Sequence, residues 1–100
     1  MPIIYLSPST QEFNPYITGG NEEQYMNLIA DAMIPYLRLS GIRYRRNSKN
    51  MTTAEVIADS NAGNYDLHLA LHSNANDAGE GKIRGTEVYY FPTSVRGKRA

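Results

Sequence analysis

The chain has 100 residues, of which 41% are hydrophobic and 20% charged, an ordinary make-up for one globular domain. Ten Lys and Arg balance ten Asp and Glu, so no overall field draws the chain to nucleic acid or to an anionic membrane. Cysteine is absent, which excludes a disulfide scaffold, a thiol nucleophile and cysteine-based zinc sites. A metal here has to use histidine and carboxylates.

A chain of this length buries a modest fraction of its surface and has no disulfide to compensate. The expectation is therefore one domain over residues 1–100 that is a fragment of a longer one. Met1 to Leu6 lacks a basic leader and a secretory-length apolar run, so no export signal is expected. No later stretch reaches the length of a membrane span.

Ile3-Ile4-Tyr5-Leu6 is a short apolar run bounded by Pro2 and Ser7-Pro8-Ser9, which predicts a buried strand. The loop that follows, to Gly19-Gly20, is long enough to suggest a functional segment. Asn21 is a good N-cap, Glu22 and Glu23 suit the positive first turn, and Met26, Ile29, Ala30, Met33 and Leu37 recur at helical spacing. A helix to Leu39 is predicted, stopping at Ser40-Gly41 and kinked at Pro35.

Ile42 to Arg45 alternates like a half-buried strand, which sends Arg43 and Arg45 one way and Arg46 the other. These arginines and Lys49 read as a solvated face. Thr52 or Thr53 caps a second helix that ends at Gly63. Asp66 to His72 reads as a buried strand, Ser73 to Gly85 as a loop, and Thr86 to Phe91 as the strongest strand signal, closed by Pro92.

The order β-α-β-α-β-β predicts an α/β fold with a mostly parallel twisted sheet flanked by helices. In such sheets ligands bind beyond the carboxyl ends of the strands, where the loops after the first and third strands meet.

His68 and His72 are the only histidines. On a helix their spacing would pair two zinc ligands, but on a strand four residues span roughly 13 Å, too far to share one ion. His72, at the strand end, is the candidate ligand; His68 is expected to be a packed core residue. Glu12, Glu22 and Glu23 are carboxylates at the same edge, where each can be a metal ligand or merely a solvated or dipole-complementing group. Gly19-Gly20 matches neither phosphate-loop pattern, and no serine sits in a nucleophile-elbow context. Tyr25, Tyr36 and Tyr89 fit core positions or sugar-stacking surfaces.

Several stations occur in a familiar order. Glu23-x-x-x-Asn27-Leu28, Tyr44-Arg45, Ser60-Asn61-Ala62, Tyr65-Asp66-Leu67, Ala70-Leu71-His72-Ser73-Asn74-Ala75 and Gly85-Thr86-Glu87-Val88-Tyr89-Tyr90 together resemble the zinc-dependent N-acetylmuramoyl-L-alanine amidases of type 3. The resemblance implies hydrolysis of the amide between N-acetylmuramic acid and L-alanine in bacterial peptidoglycan, acting at the cell wall. It implies zinc held by Glu23 and His72, with Asn74 touching substrate and the catalytic glutamate beyond Ala100. Zinc would polarise the scissile carbonyl and lower the pKa of its water towards about 7.

The match departs at the first strand end, where the family has a histidine ligand and this chain has Thr10. Glu12 is the expected substitute. The competing expectation is a non-catalytic peptidoglycan-binding module with a degenerate metal site.

Overall fold

The computed structural model describes residues 2–10, 15–16, 19–73 and 86–99. Its elements are β1 (Ile3–Pro8), α1 (Glu22–Leu39), β2 (Arg43–Arg46), α2 (Thr53–Ala62), β3 (Leu67–Leu71) and α3 (Val95–Arg99). The three strands form an all-parallel sheet in the order β2-β1-β3, with Tyr5 level with Arg45 on one side and His68 on the other. The α/β architecture with helices flanking a parallel sheet is thus present.

The chain leaves β1 towards β2, then returns across β1 to reach β3. Right-handed crossovers in opposite directions put their helices on opposite faces. Hydrogen bonds agree: Asn27 of α1 meets Arg46, whereas Asp59 and Ser60 of α2 meet Tyr5 and His68. β1, central and covered on both sides, supplies much of the core: Ile4, Tyr5 and Leu6 are buried, with Met26 and Ala30 from α1 and Val56 from α2.

The helix ends follow local chemistry. Asn21 caps α1 through its side chain to the Gln24 N–H, and Glu22 and Glu23 lie against the positive first turn. At the other end Gly41, with φ of 71°, lets its N–H reach the Arg38 carbonyl and that of Ile42 reach Leu37, a Schellman closure. The helix is continuous through Pro35, which lacks only the N–H that would serve Asp31. Thr52 caps α2 in a reciprocal capping box with Glu55.

Alternation along β2 separates the arginines as expected, and it gives each a partner. Arg45 forms two hydrogen bonds to Asp59, at 3.1 and 3.2 Å, on the α2 face. Arg46 turns to α1, where it pairs with Asp31 and donates to Asn27 Oδ1 at 2.8 Å. Tyr5, fully buried, donates to Asp59 at 2.7 Å. Burial, then that hydrogen bond, pushes the Tyr5 pKa up to about 12, while Arg45 and then Tyr5 hold Asp59 below the usual carboxylate value.

Three expectations need correction. The strand predicted over Thr86 to Phe91 is not formed; Val88, Tyr89 and Phe91 are exposed, and no strand pairs with them among the described residues. Strand propensity reports fitness for a half-buried pleated surface, and without a neighbouring strand it has nothing to act on. His68 is exposed, because β3 is an edge strand whose outer side has no cover among the described residues. Its ring lies stacked on Tyr5 at 5.1 Å, with Nδ1 2.7 Å from the Ser60 hydroxyl. Tyr25, Tyr36 and Tyr89 are likewise exposed, not core residues.

Candidate functional site

Winding reverses at β1, so the crevice of this sheet lies beyond the carboxyl ends of β1 and β3. The Ser9 N–H bonds the Leu71 carbonyl at 2.9 Å there, holding the two strand ends together. His72 leaves β3 at this point, and Glu22 opens α1 beside it.

Glu22 Oε2 lies 3.1 Å from His72 Nδ1. The carboxylate side chain is only 5% exposed and the imidazole 52%, so a buried acceptor orients a ring that remains open to solvent. With Glu22 as the acceptor, Nδ1 carries the hydrogen and Nε2 the lone pair. Among the described residues no other group forms a hydrogen bond with the ring.

The carboxylate is itself held. Ser73 donates to Glu22 Oε1 at 3.4 Å, and Tyr16, 2.7 Å from the Ser73 hydroxyl, is then the donor to Ser73. Tyr16 is positioned by a turn in which its N–H bonds the Gly20 carbonyl at 2.9 Å and its ring meets Tyr25 at 5.1 Å. That turn explains the paired glycines: Gly19 and Gly20 have φ of 107° and 73°, and a methyl at Gly20 would overlap the Tyr25 ring. A phosphate cradle is not needed to account for them.

Of the residues expected to hold metal, the structure brings His72 to the edge but pairs it with Glu22, not Glu23. Successive residues of a helix point about 100° apart, so one of the two glutamates faces the strand ends and the other does not. The Glu23 carbonyl accepts from Asn27 Nδ2 at 2.7 Å, and its side chain stays half-buried. Glu12 and Asn74, expected as third ligand and substrate contact, lie outside the described residues. Thr10 lines a cleft on the α2 face. Tyr16 carried no signal in the sequence and Ser73, although part of the His72 motif, was assigned no role, since the contact joins residues 57 apart.

Two donors of a tetrahedral zinc with bonds of about 2.0–2.1 Å stand about 3.3 Å apart. The 3.1 Å between Glu22 Oε2 and His72 Nδ1 fits two corners of such a site if zinc takes the place of the Nδ1 hydrogen and the ring carries its hydrogen on Nε2 instead. A catalytic zinc takes three protein ligands, and no group of three histidines or carboxylates able to hold a metal forms among the described residues. The described set therefore does not complete a zinc site by itself. No helix among the described residues is long and apolar enough to cross a membrane.

No protein-family model, curated protein or solved structure matches this chain. The resemblance to the amidases rests on the ordered motifs alone.

Proposed function

We propose that this chain carries part of an amide-hydrolysing site that acts on peptidoglycan, at the bond between N-acetylmuramic acid and L-alanine, as its resemblance to the type 3 amidases implies. The observation that carries the reading is the pairing of buried Glu22 with half-exposed His72 at the switch point of the sheet. Without metal the buried carboxylate holds the imidazole in place through Nδ1, and zinc would lie between the same two atoms. Tyr16 and Ser73 fix the carboxylate, so the ring does not need to reorganise when a ligand arrives.

In this reading Glu22 takes the role that the resemblance implied for Glu23, and zinc is the expected cofactor. The pair would supply two of the three protein ligands. Incubation of the purified, zinc-supplemented protein with muropeptides, followed by mass spectrometry, tests the proposal. Release of free stem peptide by wild type and its loss in His72→Ala supports it; intact muropeptides with both proteins refute hydrolysis at this site. Thr10, standing where the resemblance calls for a histidine, favours the second reading, a peptidoglycan-binding module. Binding of muropeptides without turnover would support that alternative.

A further inference from the structure

The arginines at the edge of the sheet divide into two kinds. Arg45 and Arg46 pair with Asp59 and Asp31. Arg43, which starts β2, and Arg38, in the last turn of α1, have no carboxylate partner among the described residues. Both are exposed, and both line one cleft of about 590 Å³ at the amino end of the sheet, together with Ile3, Gly41, Ile42 and Tyr44. Clefts that hold small molecules measure roughly 300–1,000 Å³.

The chain builds this cleft from a turn and an edge. The closure at Gly41 takes the chain directly from α1 into β2, which sets Arg38 beside the first residues of the strand. β2 is an outer strand, so no further strand covers its far side among the described residues. Ile3 opens β1 level with Arg43 and, with Ile42, gives the cleft an apolar lining.

The polar lining is made of donors. Guanidinium groups only donate, and Arg38 Nη2 donates to the Tyr44 hydroxyl at 3.5 Å, which leaves the hydrogen of that hydroxyl to be given elsewhere. Among the described residues no carboxylate lines the cleft. The carbonyls of Tyr36, Leu37 and Arg38, which would make the end of α1 negative, are taken by the N–H groups of Ser40, Ile42 and Gly41. A ligand therefore has to bring the acceptors. Two arginines favour an anion, and the planar fork of each matches a carboxylate. The two isoleucines favour a ligand with apolar surface over a bare inorganic ion.

We infer that this cleft binds a small organic carboxylate with an apolar body, the carboxylate taken by Arg38 and Arg43 and the body lying against Ile3 and Ile42. The site is at the opposite end of the sheet from Glu22 and His72 and is independent of the amide-hydrolysis reading. It needs no metal, and its test reads binding and not turnover.

The probes are 3-phenylpropionate, its neutral counterpart 3-phenylpropionamide, and inorganic phosphate. Each is titrated into the metal-free protein and followed by ¹H–¹⁵N NMR. Phenylpropionate should give saturable shifts centred on Arg38, Gly41, Ile42 and Arg43 with a Kd of roughly a few millimolar, the range that a ligand of about eleven non-hydrogen atoms reaches at ordinary efficiency. The amide lacks the charge and phosphate lacks the apolar body, so each should bind at least about fivefold more weakly. Arg38→Gln and Arg43→Gln should each weaken phenylpropionate binding roughly two- to fivefold, the size that exposed ion pairs reach. Arg43 makes no side-chain hydrogen bond among the described residues, so its replacement leaves the fold intact. Lys49→Gln removes the same charge from an exposed position in the loop after β2 and should change affinity by less than about twofold. Absence of saturable shifts in wild type, equal or tighter binding of the amide or of phosphate, unchanged affinity in either folded arginine variant, or an equal loss in Lys49→Gln would each overturn the assignment.

Discussion

Replacing Glu22 by Ala removes the acceptor that fixes the His72 ring, and the effect can be sized from the geometry. Glu22 Oε2 lies 3.1 Å from Nδ1, a normal charge-assisted hydrogen bond. Hydrogen bonds to charged groups contribute about 1.5–3 kcal/mol, equivalent to a preference of roughly 10- to 150-fold for the Nδ1–H tautomer. The imidazole is 52% exposed, so water competes and the lower end applies, about tenfold. Ring ¹⁵N shifts of the metal-free protein at neutral pH measure the tautomer directly. Wild type should be predominantly Nδ1–H, and Glu22→Ala should relax towards a mixture, with the rest of the spectrum little changed. An equal tautomer ratio in the two proteins would refute the claim that Glu22 orients His72.

Other consequences follow from the same coordinates. Desolvation of the His68 ring against Tyr5, then repulsion from His72, holds its pKa below the ordinary 6.5. The unfolded chain therefore takes the proton first, so this stabilisation is complete above pH 6.5 and is lost as the pH falls through the folded value; His68→Gln should flatten that part of a stability–pH curve measured by urea unfolding. Gly20→Ala puts a side chain at φ of 73° and into the Tyr25 ring, and should cost about 1–2 kcal/mol, seen as a drop in Tm of about 4–8 °C per kcal/mol. Met26 is 7% exposed in a small core, so Met26→Ala should lose about 2–4 kcal/mol in denaturant titration. No change in either of the last two would contradict the packing described.

Local signals carried the elements they encode. Asn21 and Thr52 capped the helices, Gly41 ended the first one, and the apolar run Ile3 to Leu6 became the central strand, because each effect acts within a few residues. Pairing is not local, and there sequence reading fell short. Thr86 to Phe91 has the composition of a strand, but no strand pairs with it among the described residues. His68 sits between leucines, yet its strand is at the sheet edge, where alternation does not guarantee cover. The candidate site shows the same division. His72 was legible from its place at a strand end, while the choice between Glu22 and Glu23 depended on the phase of the first helical turn. That phase is set by the Gly19-Gly20 turn and the Asn21 cap, and the resemblance pointed to the other glutamate. The Tyr16–Ser73 contact joins two segments that only the fold brings together.

The central claim, that Glu22 and His72 form two corners of a metal site, is tested most directly by zinc titration of wild type, Glu22→Ala, Glu23→Ala and His72→Ala with calorimetry and metal analysis. Disturbing an outer partner of a metal ligand typically costs 10- to 100-fold in affinity, so losing a direct donor should cost more than about 100-fold. The account predicts near-stoichiometric zinc in wild type and Glu23→Ala, and its loss in both Glu22→Ala and His72→Ala. Zinc retained by Glu22→Ala but lost from Glu23→Ala, or no zinc bound by wild type, would contradict it.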